Sequence, residues 1–122
     1  MKSIKGSWAA LVTPFTENDE IDFAALDRLL DMHLAAKTDG LVICGTTGES
    51  ATLSFDEKKA LMKAVTGKIT GKISIMFGTG SNDTRATCEL TAKAAELGAE
   101  SVLVVTPYYN KPPQEGLKQH FK

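Results

Sequence analysis

Leu41-Val42-Ile43-Cys44-Gly45-Thr46-Thr47-Gly48-Glu49-Ser50 passes from four apolar residues into a loop of glycines, hydroxyls and one carboxylate. A run that is apolar on both faces reads as a strand covered on both sides by helices, the usual setting of a parallel sheet. The loop leads into a helix start, because Ser54 and Glu57 form a capping-box pair, with Ala60, Leu61, Ala64 and Val65 as the inward stripe behind them. Strand, polar loop and amphipathic helix make one unit.

The same unit recurs on both sides. Upstream, Ser7–Val12 is a short apolar strand ended by Thr13-Pro14. Asp22 then caps a helix striped by Phe23, Leu26, Leu30 and Leu34, which Gly40 stops. Downstream, Ile73–Phe77 is a third strand closed by Gly78-Thr79-Gly80. Asn82 or Asp83 caps a third helix that runs to about Leu97, with Gly98 as its stop. Ser101–Val105 is the fourth strand. Thr106-Pro107-Tyr108-Tyr109 follows as a loop, and Gln114–Lys122 opens a fourth helix with Leu117 and Phe121 on one face. The period is roughly thirty residues, within the range of internal repeats. The chemistry repeats too, with a threonine beside proline or glycine at each strand's carboxyl end: Thr13, Thr46, Thr79 and Thr106.

Alternation with the polar loop always on one side predicts an α/β fold of parallel strands, right-handed crossovers and a functional face at the strands' carboxyl ends. Four such units are half of an eightfold (β/α)8 TIM barrel, which takes about 250 residues. A doubly wound open sheet is the alternative that alternation alone leaves standing.

Composition narrows the function. In 122 residues, 43% hydrophobic, fourteen basic side chains stand against fifteen acidic ones without a block of either sign, so no nucleic-acid partner is indicated. Met1–Lys5 carries two lysines, but the apolar run Trp8–Val12 behind it is too short for a leader core, and no membrane span follows. Cys44 and Cys88 read as two free, buried thiols of a reducing, cytoplasmic compartment.

Gly45–Ser50 offers four backbone N–H groups and three hydroxyls ahead of a helix, a cradle for a small anion such as a carboxylate; the competing reading is a tight turn and nothing more. A Walker ending is missing, and Gly78-Thr79-Gly80 lacks the third glycine of a dinucleotide fingerprint. Glu49 reads as a carboxylate that stabilises the helix dipole. No residues stand at metal-ligand spacing, and neither His33 nor His120 is assigned to catalysis. Tyr108 and Tyr109, adjacent in an extended segment, point opposite ways, so one of them has a task other than packing.

Together, Gly45-Thr46-Thr47-Gly48-Glu49-Ser50 with Ala51-Thr52-Leu53, Gly78-Thr79-Gly80 with Asn82, and Thr106-Pro107-Tyr108-Tyr109-Asn110-Lys111-Pro112 resemble the dihydrodipicolinate synthase family of pyruvate-dependent class I aldolases. N-acetylneuraminate lyase shares the first motif, whereas Tyr-Tyr-Asn-Lys-Pro resembles the synthase branch. The resemblance implies an eightfold barrel that assembles as a homotetramer of tight dimers. It implies a reaction in which pyruvate forms an imine with a barrel lysine, becomes an enamine and attacks L-aspartate 4-semialdehyde, in the diaminopimelate route to lysine. By position, Thr46 resembles the hydroxyl of the proton relay at the substrate, Thr47 the pyruvate-carboxylate binder, and Tyr109 the relay phenol given across the tight dimer. No metal or dissociable cofactor is implied.

The departure from the family lies in the nucleophile. None of the twelve lysines falls inside a predicted strand, where burial would lower an amine's pKa enough for imine formation. Residues 1–122 are therefore expected to be the amino-terminal half of the barrel domain, truncated in the fourth helix. A second reading is a non-catalytic half-barrel that pairs with itself or with a complementary half. With strands five to eight missing, the first and fourth strands are expected to be open edges, and Ile75 and Val104 to face solvent or a partner.

Overall fold

Four short strands line up in chain order as one sheet: β1 (Trp8–Ala10), β2 (Gly40–Ile43), β3 (Ser74–Gly78) and β4 (Ser101–Leu103). Every neighbouring pair is parallel. The structure, a computed structural model, describes residues 4–122. Met1–Ser3, part of the Met1–Lys5 stretch that carries two lysines ahead of the short apolar run, lie outside the described residues. The helices α1 (Phe23–Ala35), α2 (Phe55–Ile69) and α3 (Thr84–Glu96) form the crossovers, and α4 (Gln114–His120) follows β4. A doubly wound sheet reverses its strand order at a switch point. The order β1-β2-β3-β4 has no reversal, as in one side of a barrel.

Register explains the core. Ala9 pairs with Leu41 and Leu41 with Ile75, while Ile43 pairs with Phe77 and Phe77 with Val102, giving two cross-strand rows on one face. Against them pack Leu26 and Leu30 of α1, Leu61, Met62, Val65 and Ile69 of α2, and Leu90 and Ala94 of α3. The alternate row, Ala10, Val42, Met76 and Ser101, lies on the other face. Helices do not cover that face: Ala10 is exposed, Val42 and Met76 are half-buried, and Leu103 and Val105 are 46% and 47% exposed. The two-sided helical cover expected of β2 is thus one-sided. Ile75 is in the covered core and Val104 is half-buried, so the residues that meet solvent are the other set. A strand of apolar residues throughout has no alternation to show which side is which.

The helix boundaries follow local chemistry. Asp22 accepts the Ala25 N–H at 2.8 Å to open α1, and Asp83, not Asn82, caps α3 by accepting from Arg85 and Ala86. Before α2 the capping box is complete: Glu57 N–H donates to Ser54 Oγ at 3.2 Å and Ser54 N–H to Glu57 Oε2 at 2.7 Å. Those bonds hold the Glu57 carboxyl below its usual value. Gly98, at φ 85°, ends α3 as expected.

Several expectations give way to packing. Lys37, in the left-handed region at φ 54°, follows the end of α1, whereas Gly40 opens β2 beneath Trp8, whose ring a Cβ there would meet at 2.3 Å. Phe23 is 44% exposed and Ala60 is exposed, because the stripes centre on Leu26/Leu30 and on Leu61/Met62/Val65. In α4 the buried residue is His120, with Leu117 half-buried and Phe121 exposed.

Candidate functional site

The threonines repeated at the strand ends divide into two kinds. Thr13 and Thr79 are buried, and their hydroxyls tie the scaffold together: Thr13 Oγ1 donates to the Gly48 carbonyl at 2.8 Å, and Thr79 Oγ1 lies 2.8 Å from Thr91 Oγ1. Thr46, Thr47 and Thr106 are exposed. Only the second kind can meet a ligand.

The loop after β2 is closed by its own backbone. Gly48 N–H donates to Gly45 O at 3.1 Å, Glu49 N–H to Thr46 O at 3.0 Å, and Ser50 N–H to Gly45 O at 3.3 Å. Three of the four amides expected in an anion cradle are therefore spent inside the loop, and the exposed Thr46, Thr47 and Glu49 side chains are among its outward polar groups. Cys44 and Glu49, neither a glycine, both take φ 55°, a left-handed conformation that persists where surrounding contacts enforce it. One such contact is the close approach of β3, since a Cβ on Gly78 would stand 2.1 Å from the Cys44 carbonyl oxygen. Glu49 is not at the helix entrance as read from the sequence. Several loop residues separate it from α2, whose first turn carries Asp56 and Glu57 for the dipole.

After β4, Pro107 is buried, and the two tyrosines part at a tight turn, not along the extended segment expected, because Tyr109 takes a left-handed conformation. Tyr108 lines a cleft of about 430 Å³ with Thr46, Glu49, Ser50 and Lys58, floored by Leu103 and Val105. Tyr109 is 92% exposed at φ 68° and does not line that cleft, nor does Thr47. The turn is held by Asn110, whose N–H donates to Tyr108 O at 2.8 Å and whose side-chain Nδ2 donates to Asn82 O at 3.0 Å. Within one chain, then, the structure brings Thr46 to Tyr108 across the cleft and turns Tyr109 outward. Tyr108, one of the tyrosine pair singled out in the sequence, and Lys58 are not among the residues assigned there to catalysis or substrate binding. Their arrival depends on how α2 and the β4 loop fold over the strand ends, which local patterns do not encode.

Cys44 also lines the cleft, and burial pushes its thiol up to about 11, against a smaller opposing pull from the Lys58 ammonium. Cys88 is exposed, contrary to the expectation of two buried thiols, because it lies on the outer side of α3. Only the thiolate alkylates. At pH 8, iodoacetamide is therefore expected to label Cys88 and spare Cys44, which is both protonated and 2% exposed; peptide mass spectrometry reads both sites, and early labelling of Cys44 contradicts the assignment.

Both histidines pair with threonines, His33 Nδ1 with Thr38 Oγ1 at 3.0 Å and His120 Nδ1 with Thr84 Oγ1 at 2.8 Å. Among the described residues, no three His, Cys, Asp or Glu side chains converge as a metal site, no helix is long and apolar enough to cross a membrane, and no strand contains a lysine.

Residues 3–122 match the Dihydrodipicolinate synthetase family. The chain is 53% identical over 122 residues to the 4-hydroxy-tetrahydrodipicolinate synthase of Bdellovibrio bacteriovorus, a match that covers 100% of the chain and 41% of the relative. Among solved structures, the dihydrodipicolinate synthase of Aquifex aeolicus superposes with a TM-score of 0.95 at 47% identity, over 98% of this chain and 40% of its own. The chloride-inhibited Acinetobacter baumannii synthase, solved with pyruvate, gives a TM-score of 0.95 at 44% identity over 98% and 41% of the two chains. The four βα units thus correspond to about two fifths of these relatives' length.

Proposed function

Because the chain belongs to the Dihydrodipicolinate synthetase family, we propose that it forms the amino-terminal part of a 4-hydroxy-tetrahydrodipicolinate synthase, which joins pyruvate to L-aspartate 4-semialdehyde through a lysine imine. The observation that carries this reading is the pair Thr46-Thr47, exposed side by side on an internally bonded, left-handed loop at the carboxyl end of β2. Active sites of parallel barrels stand at that end of the strands.

In this reading the chain's residues bind and move protons. Thr47 donates its hydroxyl to the pyruvate carboxylate and so orients the keto carbon. Thr46, at the cleft, accepts a proton through one lone pair while its own O–H donates, which makes a hydroxyl a relay rather than a terminal base. Tyr109, which its own chain leaves almost wholly exposed, passes the proton on as the phenol given to a neighbouring subunit's Thr46. The lysine amine adds to the keto carbon, water leaves, and loss of a methyl proton gives the enamine. Its carbon forms the new bond to the aldehyde, whose oxygen takes up a proton. The four strands described here supply no such amine. The protein works in the cytoplasm as a homotetramer of tight dimers, each active site completed across a dimer.

Borohydride reduction in the presence of pyruvate tests the assignment. The full-length protein that carries these residues is expected to give a stable covalent adduct, and the 122-residue chain none, as read by intact mass. A full-length protein without an adduct overturns the synthase reading, and an adduct on the short chain overturns the placement of the nucleophile.

A non-catalytic half-barrel is the second reading, and one observation favours it: the helix-free sheet face with exposed Val12, Leu103 and Val105. Such a face suits a complementary half or a second copy, and an adduct on the short chain sinks this reading, whereas a blank there leaves it standing.

A further inference from the structure

The Gly48–Glu49 peptide unit is held at both ends. Its carbonyl accepts the Thr13 hydroxyl at 2.8 Å, across thirty-five residues of sequence, and its N–H donates to the Thr46 carbonyl at 3.0 Å. Thr13 is 6% exposed and Gly48 is buried. A Cβ on Gly48 would approach the Leu11 carbonyl at 3.1 Å and the Cys44 nitrogen at 3.3 Å, so the loop lies directly on the backbone leaving β1. Since a peptide unit is planar, fixing its oxygen fixes the direction of its N–H. Hydrogen bonds in such a chain polarise one another, so each strengthens the next.

We propose that Thr13 is a positioning residue for the substrate-binding loop: its buried hydroxyl, through the Gly48–Glu49 peptide, sets the placement of Thr46 and Thr47. This rests on the reading of those two threonines as proton relay and carboxylate binder. Glu49 sits at φ 55°, a conformation that side chains seldom adopt, and the two bonds to its peptide hold it there. Without the Thr13 bond the peptide oxygen is left buried and unpaired, so the plane turns to find a donor. Thr46 loses its partner in that turn, and Thr47, between Thr46 and Gly48, moves with it. The other buried threonine of the repeat, Thr79, bonds to Thr91 of α3 and has no such connection to the loop.

The test uses the full-length protein with Thr13→Val, which keeps the shape and removes the donor, beside Thr13→Ser, which keeps the donor. Displacement of binding groups on the order of 1 Å costs up to about 10²-fold in rate. Thr13→Val is expected to lower kcat/KM for pyruvate by about 10- to 10²-fold, with a raised KM as part of the loss, since carboxylate binding is uniform to ground and transition states. Thr13→Ser is expected to return it to within about threefold of the wild type, the donor being restored. If valine does not fold there, Thr13→Ala takes its place in the comparison. An unchanged pyruvate KM in the donor-free variant overturns the proposal, as does a serine variant as impaired as the valine one. Thr47→Val, measured in parallel, separates the two claims: an unaltered pyruvate KM in that variant sinks the carboxylate assignment, whereas a raised KM there beside a normal Thr13→Val sinks the positioning role alone.

Discussion

Replacing Thr46 by valine in the full-length protein is expected to lower turnover by about 10²- to 10⁴-fold, the range of a lost acid–base contribution. Valine has threonine's shape, and Thr46 is exposed at the cleft, so the change removes a hydroxyl without opening a cavity. The Thr46 carbonyl keeps its bond from Glu49 N–H, so the loop stays closed. Tyr109→Phe is expected to give a loss of similar size with little change in the protomer's own stability, because the side chain contributes almost no buried surface to its chain. In the proposed relay the two oxygens act as one unit across subunits. The double variant should therefore cost little more than either single one, since residues that act as a unit are not additive. Steady-state kinetics of the four proteins decides the matter. Losses that multiply would show two independent roles, and a Tyr109 variant of normal turnover would remove the phenol from the mechanism.

The second large effect is on the scaffold. Gly78→Ala is expected to destabilise the protein by at least about 3 kcal/mol, at or beyond the upper end of ordinary overpacking. The added methyl would stand 2.1 Å from the oxygen and 2.7 Å from the carbon of the Cys44 carbonyl. Both atoms are backbone and lie where Cys44 is already held at φ 55°, so no side chain can yield and the strands must part. Gly67→Ala is the contrast. Nothing lies within 4 Å of a Cβ there, and the position is inside α2, where alanine is favoured over glycine by about 0.5–1 kcal/mol. Urea denaturation of the two variants should show opposite signs. A Gly78→Ala protein as stable as the parent would mean that β3 does not press on Cys44 in solution.

Local signals in the sequence carried much of the fold. Asp22, Ser54 with Glu57, and Gly98 mark helix ends with chemistry that acts within a few residues, and each does so in the structure. Parallel order followed from the side on which the polar loops recur. Faces were harder to read. Ile75 reads as a barrel-facing residue left to solvent and Phe23 as part of a buried stripe, but Ile75 is in the helix-covered core and Phe23 is exposed, because a wholly apolar strand has no period and a helix stripe says nothing of how wide its cover is. At the site, the hydroxyls of Thr46 and Thr47 are legible from their place in the Gly45–Ser50 loop, and the roles proposed for them come from the family resemblance. What the loop's amides do is not legible, because three of them turn back on the loop and the bond that seats it comes from Thr13, far away in the chain. That Tyr108 and Lys58 meet at the cleft depends likewise on how distant segments fold together.

The sheet joins each strand only to its sequence neighbours, and this gives assembly a direction. The longest pairing runs Gly40–Ile43 against Ser74–Phe77, with α2 as the connection and its Leu61, Met62, Val65 and Ile69 closing over both strands. That segment can collapse by closing one loop, at low entropic cost, before either outer strand arrives. β1 pairs with β2 over a shorter register, Trp8–Ala10, than β2 does with β3. The Thr13 hydroxyl travels with it. The Gly48 carbonyl on β2's loop thus gains its Thr13 bond only when the backbone leaving β1 is in place beside β2, so the loop's seat depends on a strand far away in the chain.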